Sequence, residues 1–166
     1  RRCAVGFRPG FQAFLGNGDI LRHDGQQAVS ILDGRMRRWL VNTIDSTYYG
    51  RSFAVALPKK PEVWFCFPHN GNSLPSLAVV WNWRDDTVTV RELVSVAHAA
   101  TGNLAATGAP WSTDTDPWSG DTTAWEETTY NPAAKDLVLT KPSIPLLTVG
   151  ESTNLVAGSS MPAYLE

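Results

Sequence analysis

Cysteine is nearly absent from this chain of 166 residues: Cys3 and Cys66 are the only two, and no Cys-x-x-Cys pair occurs. Two are too few for a disulfide framework, and Cys66, inside an apolar run, reads as a buried free thiol. Charge of one sign is scarce as well. Fourteen Lys and Arg against sixteen Asp and Glu leave a formal net charge of −2. A balance that close excludes a broad electrostatic pull toward nucleic acid or anionic lipid. No apolar stretch approaches the roughly 20 residues of a membrane-spanning helix. There is no long polar tract either, and a composition of 43% hydrophobic and 18% charged residues argues against disorder throughout. Three histidines, His23, His69 and His98, lie too far apart for metal-ligand spacing. Neither standard Gly-rich phosphate loop is present.

What is abundant is tryptophan, with seven residues, together with 13 Gly and 11 Pro at separated places. That combination predicts many short strands joined by many turns. "CAVGF" and "FQAFL" flank the turn signal "RPG", and Asp24-Gly25 predicts a hairpin turn into "QQAVSI". One helix is predicted over residues 33–44, with Asp33 as its N-cap and Met36, Trp39, Leu40 and Ile44 as its apolar stripe.

Beyond "DSTYYG" the period changes to two. Phe53, Val55 and Leu57 share one face of "SFAVAL". In "EVWFCFP", Val63, Phe65 and Phe67 take one side while Trp64 and Cys66 take the other. Leu77, Val79, Trp81 and Trp83 align in "LAVVWNW", and Val88 and Val90 oppose Thr87, Thr89 and Arg91 in "TVTVREL". Four consecutive strands with short connections result, the middle two apolar on both faces. A sheet apolar on both sides needs cover on both sides. The expected fold is therefore mainly β: antiparallel four-stranded meanders of the kind that form the blades of a β-propeller, here a partial one, with one short α-helix. Trp39, Trp64, Phe65, Phe67, Trp81, Trp83 and Val88 are its expected core and assembly residues.

Residues 1–93 are expected to hold this blade region. Residues 94–130 read as a connector, small and polar, carrying Trp111, Trp118 and Trp125 seven apart. Pro117, Gly120 and the threonines there oppose a heptad helix. Residues 131–166 read as the start of a further blade, with "DLVLTK", "PLLTV", "TNLVAG" and "AYLE" as strands. The chain opens at "RRCAVGF" and closes at "MPAYLE" within apparent structure, so a segment of a longer polypeptide is expected.

Candidate chemistry is thin. His23 and Asp24 are neighbours and point oppositely on a strand, so they make no acid–base pair. Asp85-Asp86 sits where a turn is needed, and neither it nor Glu126-Glu127 has the across-cleft placement that glycosidase carboxylates require. Asp114, Asp116 and Asp121 resemble a Ca²⁺ loop only loosely and lack its order of ligands. Arg35, Arg37 and Arg38, with Arg22 upstream, form the one dense basic cluster. It reads as a solvated helix face, with DNA phosphates or an acidic neighbour as the alternative partner.

The order of "NGDILRHDGQQAVSI", "DGRMRRWL", "EVWFCFP", "LAVVWNWRDDTVTVREL" and "PWSTDTDPWSGDTTAW" resembles the propeller-containing tail proteins of short-tailed bacteriophages, of the tail tubular protein B or nozzle type, and the related tail accessory and DNA-stabilisation proteins. The resemblance runs from about residue 16 to 166. It implies a virion component in a ring of copies, sixfold in nozzle-type relatives, in contact with other tail proteins. The ring surrounds a channel through which genomic DNA leaves without sequence-specific binding. It implies no catalytic residue and no cofactor. A receptor- or glycan-binding tail module is the second reading, with Trp111, Trp118 and Trp125 as stacking platforms. A propeller glycosidase or lyase ranks third.

Overall fold

The structure, a computed structural model, describes residues 3–16, 18–102 and 135–140, and the backbone of residues 147–150, 155–156 and 159–160. Thirteen strands are described, with one α-helix among them. The first sheet is a meander in the order β1 (Ala4–Arg8), β2 (Phe11–Leu15), β3 (Ile20–His23) and β4 (Ala28–Ser30). Pro9 and Gly10 turn β1 into β2, and Gly10 at φ 78 supplies the left-handed backbone that the second turn position demands. Asp24 organises the β3–β4 loop: its Oδ1 accepts the backbone N–H groups of Gln26 and Gln27, both at 2.9 Å. The turn is four residues long, so β4 starts only at Ala28.

The helix α1 (Gly34–Thr43) follows where the apolar period predicts it, and Asp33 caps it by accepting the Met36 N–H at 2.7 Å. Leu40 is fully buried, Met36 and Trp39 are half-buried, and Ile44 closes the helix as its C-cap. A short 3₁₀ turn (Tyr49–Arg51) leads into the second sheet.

That sheet is again a four-stranded antiparallel meander: β5 (Phe53–Ala56), β6 (Glu62–Phe67), β7 (Leu77–Asn82) and β8 (Thr87–Glu92). Every residue of β6 after Glu62 is buried, as is every residue of β7 before Asn82. The two faces meet different neighbours. Val63, Phe65, Phe67, Leu77, Val79 and Trp81 pack with Ala13, Leu15 and Ile20 of the first sheet and with Leu40 of the helix. Phe53, Val55, Trp64, Cys66, Ala78 and Val80 pack with Ala99, Leu137 and Leu139 of the third sheet and with Leu93 and Val96 of the connection to it. Burying one such aromatic or branched side chain contributes about 1.5–3 kcal/mol. β8 carries the expected alternation, its Val88 and Val90 half-buried and its Thr87 and Thr89 exposed.

The third sheet has the order β11 (Leu147–Gly150), β10 (Asp136–Thr140), β9 (His98–Gly102), and β12 (Leu155–Val156) pairs with β13 (Ser159–Ser160) in a hairpin. Strand β9 departs from the expectation that residues 94–130 are connector: residues 94–97 are connection, but residues 98–102 pair as a strand. "HAATG" has little intrinsic preference for a strand, but β10 supplies a full register from Asp136↔Gly102 to Thr140↔His98. The ring of His98 stands edge-on to Phe53 at 5.1 Å. Strands β10, β11 and β12 fall on the three apolar runs predicted there. "AYLE" lies outside the described residues. The chain is mainly β, and among the described residues no sheet closes on itself.

Candidate functional site

The expected core residues occupy the two faces of the middle sheet. Trp64 is buried on the face toward the third sheet, its Nε1–H donating to Glu62 Oε2 at 3.1 Å while the Arg91 guanidinium lies 5.0 Å from its ring. Phe65, Phe67 and Trp81 are buried on the opposite face. Trp81 donates its Nε1–H to Asp86 Oδ1 at 2.9 Å, and Phe7 meets it edge-on at 5.0 Å. Trp39 meets Phe67 at 6.5 Å, so the helix anchors on the sheet through a ring contact. Trp83 lies one residue past the end of β7, half-buried in the turn, yet packs on the same core as Leu77, Val79 and Trp81, with the Arg8 and Arg84 guanidiniums 5.2 and 5.9 Å from its ring. Both cations are exposed.

The basic cluster divides. Arg37 reaches across to the first sheet, its Nε 3.1 Å from Asp19 Oδ2 and its Nη2 donating to Ser30 Oγ at 2.9 Å. It ties helix to sheet. Arg38 donates weakly to the Gly34 carbonyl at 3.4 Å, and Arg35 and Arg38 are both exposed on the helix. Trp111, Trp118 and Trp125 lie outside the described residues, as do Asp114, Asp116, Asp121 and Glu126-Glu127.

The remaining carboxylate candidates serve turns. Asp86 adopts φ 54 in the β7–β8 turn, and Asp85 Oδ2 accepts the Asn82 amide at 2.8 Å. The backbone N–H groups of Gln27 and Gln26 hold the Asp24 carboxyl below the usual Asp range. Burial pushes the Cys66 and Cys3 thiols up, so neither is a ready thiolate.

A polar constellation that the sequence reading missed lies where the loop of residues 68–76 meets the connection after α1. Asp45 organises it. Oδ1 accepts the N–H groups of Thr47 and Tyr48 at 2.8 and 3.2 Å, and Oδ2 accepts that of Gly71 at 3.1 Å. Ile44 and His69 form an isolated bridge, and Arg51 donates to the Ser73 carbonyl at 2.6 Å. His69 Nδ1 and Ser76 Oγ are 2.7 Å apart, a nucleophile–base distance. Ser76, however, is only 6% exposed, and the Asn72 amide donates to the same oxygen at 3.2 Å. The contact braces the loop and offers no open face to a reactant. The signal for Asp45 was present in "DSTYY", an Asx-turn pattern. The partner loop, 23 or more residues on, could not be paired with it from sequence.

A shallow groove of about 300 Å³ lies beside the helix, lined by Gly18, Val41, Ile44, Ser46 and Tyr49. Among the described residues no cluster of three or more His, Cys, Asp or Glu side chains is placed to hold a metal ion. No described helix is long and apolar enough to cross a membrane. No protein-family model matches the chain, and no curated protein matches it.

Proposed function

We propose that the chain is a structural protein of a short phage tail, of the nozzle or tubular type, whose copies form a ring around the channel for DNA ejection. One observation carries this reading: the middle sheet is apolar on both faces, and each face is covered by a neighbouring antiparallel sheet. Stacked meanders of that kind are how propeller blades bury themselves. Among the described residues, the large side chains of the middle sheet are buried in its two cores, and Asp24, Asp85 and Asp86 serve turns. The formal charge of −2 suits a channel wall past which DNA slides, since a basic wall would hold the phosphates. The other tail proteins and further copies of this chain are the partners, and the virion is its location.

Light scattering on the purified protein, followed by electron microscopy of virions carrying an epitope-tagged copy, tests this. A closed ring in solution or in the particle, sixfold in the nozzle-type expectation, supports it. Density for the chain absent from the tail overturns it.

A further inference from the structure

We propose that Asn70-Gly71 is a site of spontaneous amide loss and that the carboxylate of Asp45 holds it in check. The two residues form the tip of the β6–β7 loop. Both have left-handed backbones, φ 54 and 77, and the Asn72 N–H closes the turn on the His69 carbonyl at 3.0 Å. Both are exposed, and the space where a Cβ on Gly71 would stand is open. Nothing bulky therefore shields the Asn70 side chain from the nitrogen that follows it.

In the reaction the Gly71 backbone nitrogen, stripped of its proton, bonds to Asn70 Cγ. The Cγ–Nδ2 bond breaks and ammonia leaves, carrying a proton from solvent. Water then opens the resulting succinimide to aspartate or isoaspartate. The step begins with loss of the Gly71 amide proton, and that proton is donated to Asp45 Oδ2 at 3.1 Å. A charge-assisted hydrogen bond holds it in place, and the adjacent negative charge raises the cost of an amide anion.

The product sets a carboxylate close to Asp45, and the isoaspartate route also lengthens the backbone by one carbon. Like charges then oppose the Asp45–Gly71 contact. With it goes the tie between residues 68–76 and the connection after α1, which includes the Asp45 N–H to Pro68 carbonyl bond. Amide loss at this site would thus be read out in the loop of residues 68–76.

Peptide mapping by mass spectrometry after prolonged incubation, resolving Asp from isoAsp at position 70, is the test. It compares the folded wild type, the same chain in urea, Asp45→Asn and Arg51→Gln, with circular dichroism recorded for each folded sample. Asp45→Asn keeps a carbonyl for Thr47 and Tyr48 but removes the charge that faces Gly71. Arg51→Gln frees the loop from Arg51 and leaves Asp45 in place. Conversion is expected to be slow in wild type and Arg51→Gln, and on the order of tenfold faster in Asp45→Asn, the scale of one hydrogen bond to a charged group. In urea it should be fastest. Wild type converting as fast as the unfolded chain overturns the proposal. So does an acceleration in Arg51→Gln equal to that in Asp45→Asn, which would assign the protection to loop rigidity alone.

Discussion

Ser52 is 1% exposed and its hydroxyl has no hydrogen-bond partner among the described residues. Its carbonyl is occupied, accepting from the Cys3 thiol at 3.1 Å. A buried hydroxyl without a partner gives up its hydration for nothing. Ser52→Ala is therefore expected to stabilise the fold by about 1 kcal/mol, read as a rise in urea midpoint at unchanged slope. A fall in the midpoint would mean that a bound water or an undescribed residue satisfies the hydroxyl. Much of the residue scale was legible beforehand. The turn roles of Asp24 and Asp85-Asp86, the Asp33 cap and the buried Cys66 follow from local chemistry. The split of the arginine cluster did not, because Arg37 is set apart from Arg35 and Arg38 by Asp19, which is remote in sequence and becomes a neighbour only when helix and sheet pack.

At the scale of elements, the β3–β4 hairpin shows how a turn becomes sensitive to pH. The Asp24 carboxyl titrates below its ordinary range because Gln27 and Gln26 donate to the ionised form. The unfolded chain lacks those donors, so the folded carboxyl has the lower pKa. The resulting stabilisation is present above the unfolded Asp value of about 3.9 and is lost as pH falls through the lower folded value. The stability gap between wild type and Asp24→Ala should accordingly be open at neutral pH and close in acid; a gap independent of pH would assign the effect to the backbone turn alone. The helix and β5–β8 were readable because their periods, 3.6 and 2, are carried by large apolar side chains. Strand β9 was not, since Ala, Thr and Gly in "HAATG" carry no period strong enough to announce a strand, and only pairing with β10 orders them.

At the scale of the molecule, the stability of the stack rests on the middle sheet, and its two cores can be probed separately. Phe65→Ala empties the core shared with the first sheet, and Trp64→Ala the core shared with the third. Each is expected to cost about 3–5 kcal/mol, while Thr89→Ala, on the exposed side of β8, should cost under about 0.5 kcal/mol. Chemical denaturation of the three variants checks this. A small loss at Trp64 would mean that the third sheet does not close over that face in solution. The local order of strands, turns and helix was determined by the sequence alone, because hydrophobic period, capping and turn preference act between residues a few positions apart. Which face of the middle sheet meets which neighbour, the pairing that makes β9 a strand, and the meeting of Asp45 with Gly71 were decided only by tertiary structure. Those depend on contacts between residues far apart along the chain, and no local pattern specifies which distant partner will fill a given surface.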